Sequence, residues 1–599
     1  MKRLLAVLAC VLALAACQPP NGDGGESTSG TDDVPEGCAA VDVASSPEKV
    51  ELLTELAATF NDSDAASDGG CVVVRVQRKS SGAGATALVN GWTDEVAEGP
   101  KPVIWSPAAS SWGAVVNQQL ANKGDKAVAP PGAKSFMLTP LVIAMPRPMA
   151  QALGWPDTPI GYSDLLALAQ NPEGWASKGH PEWGAFRLGK TNPNFSTSAL
   201  SATIAQYYAA TGKQRDLTLE DINRPEVTQF NQGVESAVVH YGDITLTFLN
   251  NWFRNDARGT SLTYVSAVAV EEKSVIDYNR GNPDGITDPG ERPRPPKVPL
   301  VAIYPKEGTL FSDSPFYVLD APWVSAAERS GAQRFERFVQ QPANQRKILR
   351  FGFRPGNPAV AVGSPIVRAN GVDPGQPQTT LGLPSPPVLV RLIERWGETR
   401  KSARVLLVID VSGSMSEDAG NGETKLELAK RAAIDALAQF KPDDQVGVRI
   451  FSTNLRQQQP SDYIDLVPIG PVGGQRERLG VEIGRLIPRE GTPLYTVARE
   501  SYQDMKKAYD PARINAVLLL TDGRNDDEHN NDLNPTLSAL RAGSEGLSSS
   551  PVRLFTIAYG HDADKDTLKR MADATNAAAY DASDPQTIAK VFTAVVSNF

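Results

Sequence analysis

The stretch Val405-Leu-Leu-Val-Ile-Asp-Val-Ser-Gly-Ser414 decides the fold of the carboxyl-terminal third of the chain. It opens with five apolar residues in a row, a pattern typical of a strand buried on both faces of a sheet. Asp410 follows where this strand ends. A second apolar run, Ala516 to Leu520, is followed in the same way by Asp522. Both aspartates are therefore expected at the same edge of one sheet.

Helical patterns separate the apolar runs on either side of this stretch. Strand-like segments are Val405–Ile409, Val446–Phe451, Ala516–Leu520 and Val552–Tyr559, and helical segments are 425–440, 494–508 and 586–597. Strands that alternate with helices predict a doubly wound α/β domain, with an open parallel sheet covered on both faces. Sites in such sheets lie beyond the carboxyl ends of the strands.

Five side chains at this predicted edge carry oxygen donors, and a Gly-Thr-Pro turn at 491–493 contributes one of them. The candidate metal ligands are Asp410, Ser412, Ser414, Thr492 and Asp522. Hydroxyl and carboxylate oxygens, without thiol or imidazole, select a hard cation. The sequence therefore predicts Mg²⁺, or Mn²⁺ or Ca²⁺ in its place.

The Asp-x-Ser-x-Ser pattern with a later Thr and Asp resembles the metal-ion-dependent adhesion site of von Willebrand factor A domains. The resemblance implies that Ser412, Ser414 and Thr492 bind the ion directly and that Asp410 and Asp522 bind mostly through water. Neutral hydroxyls leave the ion short of negative charge, so it attracts a carboxylate from a partner protein. This is the reason such a site binds proteins and hydrolyses nothing.

One position departs from the pattern of that family. Glu490 stands before Gly491, where many relatives have a second glycine. The departure affects the geometry of the loop and no ligand. An alternative interpretation keeps the fold but makes the site structural, with a permanent carboxylate from the same chain.

The first seventeen residues are typical of an export signal. A basic pair, Lys2 and Arg3, precedes an apolar run from Leu4 to Ala16 that is too short to span a bilayer. Leu14-Ala-Ala-Cys17 resembles the lipobox of bacterial lipoproteins, which implies a lipidated Cys17 and anchoring to the outer face of the cell membrane. The alternative is a plain secretory signal cut nearby.

Cysteine usage agrees with export. Cys10 would leave with the signal and Cys17 would carry lipid, which leaves Cys38 and Cys71 as an even pair. In an oxidising compartment this pair predicts a disulfide. Two free buried thiols are the alternative.

The chain is acidic, with 59 Lys and Arg against 69 Asp and Glu, and it has no basic patch for nucleic acid. The Gly82-x-Gly84 pair lacks the third glycine of a dinucleotide site. No nucleophile elbow, paired catalytic carboxylates or histidine metal motif is present, so we predict that the protein is not an enzyme.

Composition also divides the chain into segments. We predict a signal peptide at 1–17, a Pro, Gly, Ser and Asp-rich tether at 18–36, a first domain at 37–370, a linker at 371–400 and the carboxyl-terminal domain at 401–599. This prediction rests on a proline-rich, linker-like stretch at about 363–387, and a short helix is expected after it at about 388–400.

Two turns rich in Ser and Gly join a strand to a helix early in the first domain, at 45–47 and 80–86. Such turns point N–H groups and hydroxyls at a polar or anionic ligand. Four further segments are Thr139–Met145, Gly189–Ser198, Pro299–Pro305 and Phe335–Pro355. Together they resemble the solute-binding proteins of ABC importers, which implies a two-lobed (type II) periplasmic-binding-protein fold. By that resemblance lobe 1 is about 37–138 and 300–370, and lobe 2 is about 139–299.

The same resemblance implies an interlobe cleft. Its candidate residues are Ser45, Ser46, Ser81, Ser110, Ser196 and Ser198. Ordinary helix capping is an equal alternative for any one of these serines. For the three tryptophans Trp155, Trp175 and Trp183, packing is favoured over stacking on a sugar. Residues 277–284 faintly resemble a calcium loop, but a solvated surface loop is favoured.

The whole pattern resembles actinobacterial lipoproteins that fuse a solute-binding-like domain to a von Willebrand factor A domain. It predicts a membrane-anchored extracellular binding protein whose metal site engages an acidic residue of a protein partner. The alternative is the substrate receptor of an ABC transporter for a small polar or anionic solute. A metal-chelatase subunit is disfavoured, because such subunits work with cytoplasmic ATPases and this chain begins with an export signal.

Overall fold

The structure is a computed structural model that describes residues 34–599 except 243, 287–291, 421, 454 and 456–460. The predicted export signal, Cys17 and residues 18–33 of the predicted tether lie outside the described residues. Within the described ranges, no helix combines the length and the apolar composition that crossing a membrane requires.

Strands and helices are numbered here along the chain. The strands before residue 400 are β1 (Ala39–Ser45), β2 (Val72–Arg78), β3 (Ile104–Ser106), β4 (Met137–Pro146), β5 (Leu188–Thr191), β6 (Val238–Gly242), β7 (Ala267–Glu271), β8 (Leu300–Ile303), β9 (Phe311–Ser312), β10 (Tyr317–Val318) and β11 (Arg354–Pro355). Those after it are β12 (Ala403–Asp410), β13 (Gln445–Phe451), β14 (Tyr463–Pro471), β15 (Ile514–Thr521), β16 (Arg553–Tyr559) and β17 (Ala579–Ala582).

The helices surround these strands. Up to residue 400 they are α1 (Val50–Asn61), α2 (Ser81–Val89), α3 (Glu95–Glu98), α4 (Ser111–Lys123), α5 (Arg147–Ala152), α6 (Tyr162–Gln170), α7 (Thr197–Thr211), α8 (Leu219–Ile222), α9 (Pro225–Ser236), α10 (Thr245–Arg258), α11 (Ser261–Tyr264), α12 (Glu272–Arg280), α13 (Ala326–Val339), α14 (Pro342–Arg350) and α15 (Pro386–Thr399). Beyond it they are α16 (Lys425–Ala436), α17 (Val472–Gly484), α18 (Leu494–Lys507), α19 (Leu533–Ala542), α20 (Lys565–Ala574) and α21 (Ile588–Val596).

The first lobe is built on a sheet of order β10-β3-β1-β2, in which only β10 is antiparallel to its neighbour. Helix α1 packs on this sheet because Leu52, Leu56 and Phe60 lie on one helical face and are fully buried. The predicted disulfide between Cys38 and Cys71 is present and ties the start of β1 to the start of β2.

Strand β4 connects the two lobes. Its first residues pair with β9 and β11, and its later residues pair with β7 and β8, in a sheet of order β11-β4-β7-β5-β6. Residues 300–303 are thus part of the second lobe, although the sequence placed them in the first. The return strand completes the second-lobe sheet through its pairing with β4 before the chain crosses back.

The predicted connecting helix is present as α15, and the segment before it is docked on the lobes. Leu381 is buried, and its N–H donates to the Thr309 carbonyl at 2.8 Å. The Tyr208 hydroxyl donates to the Gly382 carbonyl at 2.9 Å. Helix α15 itself packs against α4 of the first lobe and against α7 and α9 of the second.

The carboxyl-terminal domain has a six-stranded sheet of order β14-β13-β12-β15-β16-β17. Five of these strands run parallel, as the alternating pattern predicts, and they are β12, β13, β15, β16 and β17. Strand β14 is antiparallel to β13 at the edge, and the sequence did not show it. Its nine residues are mostly half-buried, because an edge strand lacks the continuous apolar run of a central one.

A buried ionic cluster joins this domain to the second lobe. Glu545 accepts hydrogen bonds from Arg553 (2.8 Å), and its carboxylate lies 3.0 Å from Nδ1 of His240. Burial raises the pKa of Glu545, but Arg553 and His240 outweigh it and hold that pKa well below its usual range. Burial and Arg553 lower the pKa of His240 to about 4. Nearby, the Asn251 and Asn255 side chains donate to the carbonyl and side chain of Asn576.

Candidate functional site

The first candidate site is the metal edge, which we define as Asp410, Ser412, Ser414, Thr492 and Asp522. Strands β12 and β15 are neighbours in parallel register, so the residues that follow them meet at one edge. The Thr521 hydroxyl donates to Oδ2 of Asp410, and the Ser412 N–H donates to Oδ1 of the same carboxylate at 2.7 Å. Both aspartates are fully buried.

The hydroxyl groups lie within hydrogen-bonding distance of one another and of the second aspartate. Ser414 Oγ donates to Asp522 Oδ1 at 2.7 Å and lies 3.1 Å from Ser412 Oγ. A Cβ on Gly523 would come within 3.0 Å of Thr492 Oγ1, which places this hydroxyl directly over the residue after Asp522. The structure thus brings together all five residues that the sequence proposed as ligands.

The loop around Glu490 keeps its place despite the missing glycine. The Gly413 N–H donates to the Glu490 carbonyl at 2.8 Å, and the Glu490 N–H donates to Ser452 Oγ at 2.9 Å. The backbone of Glu490 therefore ties the Ser412–Ser414 turn to the loop that carries Thr492.

The two buried carboxylates of the metal edge have different electrostatic surroundings. Burial, with the nearby Asp522 carboxylate, raises the pKa of Asp410 to about 7. Asp522 has a cation beside it, since Lys425 Nζ donates to Asp522 Oδ2 at 3.0 Å and to Glu417 Oε2 at 2.6 Å. Burial lowers the pKa of Lys425, but its bonds to Glu417 and Asp522 outweigh burial and raise it.

Sequence reasoning missed Lys425. It is the first residue of α16, where Thr424 and Glu427 form a capping box that fixes the helix start. A lysine in the first turn of a helix is unfavourable for the helix dipole, and that was the available signal. Its nearly buried side chain turns towards the metal edge instead of into solvent.

The donors at this edge fit a hard divalent ion. They are all oxygen, they include two carboxylates, and Thr492 Oγ1 has no hydrogen-bond partner among the described residues. Among the described residues, only the carboxylates of Asp410 and Asp522 accept hydrogen bonds from hydroxyl groups at this edge. No cluster of three or more His, Cys, Asp or Glu side chains that could hold a metal occurs in the described ranges.

The second candidate site is the cleft between the lobes. Its lining residues are Ser46, Pro47, Glu48, Ser80, Ser81, Ala108, Phe195, Ser196, Thr197, Ile244, Thr245, Leu246, Glu271 and Ser274. Of the six predicted serines, Ser46, Ser81 and Ser196 line it. Ser45 and Ser198 are fully buried beside it, where Ser198 bonds Thr191, Ser196 and Thr245. Ser110, the residue before α4, does not line the cleft.

The cleft is closed in this structure. Gly82 of the first lobe donates to the Phe195 carbonyl of the second at 3.1 Å. The Trp112 indole donates to Thr197 Oγ1 at 2.8 Å, and this hydroxyl donates to Ser81 Oγ at 3.2 Å. The remaining cavity is about 40 Å³, which is room for roughly two or three water molecules.

Two carboxylates of the cleft, Glu48 and Glu271, were missed from the sequence. Burial, with the negative charge of Glu48, raises the pKa of Glu271 to about 8. Acidic residues at a strand end or a helix start are common, so no sequence signal distinguished these two. Glu48 lies in a short 3-10 helix of the first lobe, and Glu271 lies directly before α12 of the second lobe. The two come together only because these elements of different lobes meet at the cleft.

Other candidates from the sequence lie outside the cleft. Trp175 and Trp183 pack edge to face in the core, and Trp155 is partly buried against the same core, in agreement with packing roles. The predicted surface loop at 277–284 is wrong for its first half. Asp277 and Asn279 belong to α12, where Asp277 pairs with Lys273 and Asn279 bonds the backbone of β8.

Comparison with known families agrees with this geometry. Residues 41–354, more than half of the chain, match the bacterial extracellular solute-binding protein family. Residues 405–524 and 484–594 match von Willebrand factor type A domains. The predicted fold class, a two-lobed periplasmic-binding-protein-like domain followed by a doubly wound von Willebrand factor A domain, is confirmed.

Similar proteins include the "Uncharacterized protein Rv1836c" of Mycobacterium tuberculosis, 23% identical over 551 residues that cover 89% of this chain and 72% of that protein. Among solved structures, the sulfate-binding protein SubI from Mycobacterium tuberculosis is 14% identical with a TM-score of 0.35, covering 54% of this chain and 88% of that one. A von Willebrand factor type A protein from Catenulispora acidiphila is 21% identical with a TM-score of 0.27, covering 33% and 42%. The chain belongs to the bacterial extracellular solute-binding protein family and carries a von Willebrand factor type A domain at its carboxyl end.

Proposed function

We propose that this protein is a lipid-anchored, non-enzymatic binding protein on the outer face of the cell membrane. Its metal edge holds Mg²⁺, or Mn²⁺ or Ca²⁺, and the ion engages an acidic residue of a partner protein. The family assignment supports an exported protein, and Leu14-Ala-Ala-Cys17 supports the lipid anchor. Membrane fractionation of the wild type and of Cys17→Ala tests the anchor, and wild-type protein that stays soluble argues against it.

One observation carries the adhesion proposal. Hydroxyls from two separate segments and two buried carboxylates converge at a single sheet edge. Ser412, Ser414 and Thr492 would hold the ion, with Asp410 and Asp522 around it. When bound, the ion supplies a positive centre that a carboxylate can approach. The protein supplies few negative charges of its own, which leaves that centre attractive to an outside carboxylate.

Calorimetric titration of the mature chain with Mg²⁺ and Mn²⁺ tests the first step. We expect binding that Asp410→Ala abolishes, because the carboxylate also orients the Ser412–Ser414 turn. The matched control is Asp566→Ala, which removes a carboxylate that is 81% exposed on α20. Absence of binding by the wild type, or equal binding by Asp410→Ala, contradicts the proposal.

A pair of peptides tests the second step. A short peptide with one Asp should bind the Mg²⁺-loaded chain, and the same peptide with Asn in its place should not. Chelation of the metal should release the bound peptide. Equal binding of both peptides would contradict the proposal that the bound ion recognises a partner's carboxylate. Metal binding would then stand without this form of adhesion.

A second function is favoured by the cleft: a substrate receptor of an ABC transporter for a small polar or anionic solute. Hydroxyl side chains from both lobes face the same cavity, as a site that closes around a solute requires. A thermal-shift screen of the mature chain with small solutes tests it. A stabilising solute with micromolar affinity supports transport, whereas a cleft that binds no solute leaves adhesion as the remaining proposed function.

A further inference from the structure

Glu271 has fewer hydrogen-bond donors from other residues around it than Glu48, the other acidic group of the cleft, to which the Ser46 hydroxyl donates. It ends β7 directly before α12, is 7% exposed and lines the cavity. Its own backbone N–H bonds its carboxylate, and no other residue in the described part of the chain donates to it. A buried carboxylate without a donor from another residue is costly unless something else supplies one.

The other groups of the cleft do not supply a positive charge. Glu48 lines the same cavity, and no Lys, Arg or His is among the described residues that line it. The two nearby lysines are engaged elsewhere, since Lys49 Nζ donates to the Pro107 carbonyl and Lys273 pairs with Asp277. The carboxylate side of the cleft is therefore complementary to a cation.

The opposite side of the cleft has the reverse character. Helices α2, α7 and α10 begin there, with Ser81, Thr197 and Thr245 as their first residues facing the cavity. First-turn N–H groups have no partner within their own helix, and the helix dipole favours a negative group beside them. In α2 two of these groups are already engaged, since Gly82 donates to the Phe195 carbonyl and Ala83 donates to Ser80 Oγ. A simple oxyanion suits these helix starts but is repelled by Glu48, and by Glu271 when its carboxyl group is ionised.

We propose that the cleft binds a small zwitterionic solute with a protonated amine, such as an α-amino acid. The amine donates to the Glu271 carboxylate, and the anionic end of the solute faces the start of α7, where no side chain caps the helix. The hydroxyls of Ser81 and Ser196 donate to the solute oxygens that reach them, whereas the Ser46 hydroxyl already donates to Glu48. The inference rests on the proposal that the cleft is a solute site, and it excludes sulfate-like anions from that site.

The dimensions of the cleft restrict the solute to a few heavy atoms. The closed cavity of about 40 Å³ is far below the roughly 300–1,000 Å³ of pockets for drug-sized ligands. A solute of the size of glycine, alanine or serine fits if the Gly82–Phe195 contact opens slightly to admit it.

Calorimetric titration of the mature chain with matched probes tests the charge requirement. The probes are glycine, L-alanine and L-serine as zwitterions, ethylamine as a cation, acetate and sulfate as anions, and glycerol as a neutral polyol. We expect binding of at least one zwitterion and weaker or no binding of the other probes. Loss of a charged hydrogen bond should make Glu271→Gln bind that zwitterion about tenfold or more weakly.

Two further variants separate this role from a structural one. Glu48→Gln removes the second cleft carboxylate and should weaken zwitterion binding less than Glu271→Gln. Glu226→Gln, an exposed carboxylate on α9 of the same lobe, should leave binding unchanged. Without solute and above pH 8, where Glu271 is ionised, Glu271→Gln should be at least as stable as the wild type, since it removes a buried charge without a donor from another residue. A structural carboxylate would instead lower stability when replaced.

Several results would overturn the inference. They are binding of sulfate or acetate in preference to the zwitterions, ethylamine binding equal to that of the zwitterions, equal zwitterion binding by Glu271→Gln, or no binding of any probe. Each leaves the metal edge untouched. Mg²⁺ titration of the same samples therefore shows separately whether the adhesion proposal stands.

Discussion

The metal edge buries two carboxylates and the cleft one, Glu271, beside the half-buried Glu48, and the two regions surround these groups differently. At the metal edge, Thr521, Ser412 and Ser414 donate to the aspartates, and Lys425 lies 3.0 Å from Asp522. In the cleft, Glu271 receives no donor from another described residue. The first pair is stabilised by the chain itself, whereas the second depends on what enters. An acidic pair is thus informative about function only when its partners are known.

The largest expected effect comes from breaking the buried ionic cluster that joins the carboxyl-terminal domain, which carries the metal edge, to the second lobe, which lines one side of the cleft. Glu545→Ala leaves Arg553 and His240 buried without their shared carboxylate, so we expect a loss of about 3–5 kcal/mol in the free energy of unfolding. Urea denaturation measures it. Mg²⁺ affinity should stay unchanged, because the metal edge lies within its own domain.

Asp566→Ala is the control for that measurement, since an exposed ion pair contributes little to stability. Glu545→Gln keeps the shape of the side chain and should cost less than Glu545→Ala. Should Glu545→Ala unfold no more easily than the wild type, the two domains are not held by this cluster.

The next effect sharpens the contrast in charge through pH. The pKa of Glu271 is about 8 in the folded protein, above the ordinary 4.5, so the folded state holds its proton longer than the unfolded state. This group's contribution to stability is therefore complete below pH 4.5 and is lost as pH rises through 8. We expect a loss on the order of 3 kcal/mol between pH 5 and pH 9 without solute.

Chemical denaturation at several pH values in the presence of EDTA measures this slope. Glu271→Gln should reduce this slope above pH 5 and leave the smaller part that Asp410, whose pKa is raised to about 7, contributes, whereas Glu226→Gln should keep the whole slope. Glu48 widens the pH range of the loss by raising the pKa of Glu271, and Lys273 narrows it by lowering that pKa. An unchanged slope in Glu271→Gln would assign the titration to other groups.

A smaller effect tests whether the cleft closes as described. A Cβ at residue 82 would lie 2.0 Å from the Asn194 carbonyl oxygen, so Gly82→Ala must push the lobes apart. We expect a cost of about 1–3 kcal/mol and a larger radius of gyration in small-angle scattering. Gly474→Ala is the control, because nothing lies within 4 Å of its Cβ position. An unchanged radius and stability would show that the lobes do not meet at Gly82 in solution.

The same contrast explains how far the sequence could be interpreted. The metal edge was predictable because Asp410 and Asp522 each follow a long apolar strand, and parallel neighbours bring such residues together. Lys425 was not, since its side chain reaches the edge from a helix start. The cleft was predictable only as a set of turns rich in serine. Which serines face it, and that Glu271 joins them, depends on how two lobes approach across sequence separations of more than 100 residues.

The fold followed the same division. The central strands β12, β13, β15 and β16 were predicted because burial on both faces leaves a continuous apolar run. The edge strand β14 and the return strand β8 were missed or misplaced. Their pairing is decided by neighbours that are distant in sequence, so local patterns carry little information about them.

The smallest expected effect concerns how the chain stabilises its own metal edge. Lys425 donates to Asp522 and therefore competes with a cation for that carboxylate, so Lys425→Met should raise Mg²⁺ affinity by about tenfold, or roughly 1.4 kcal/mol. Lys430→Met is the control, since Lys430 lies on the same helix and bonds the Leu486 carbonyl instead. Calorimetric titration distinguishes the outcomes. A lower affinity in Lys425→Met would mean that the lysine holds Asp522 in place for the ion. The metal edge would then differ from the cleft because the chain orients its carboxylates, and not because a lysine competes with the ion for them.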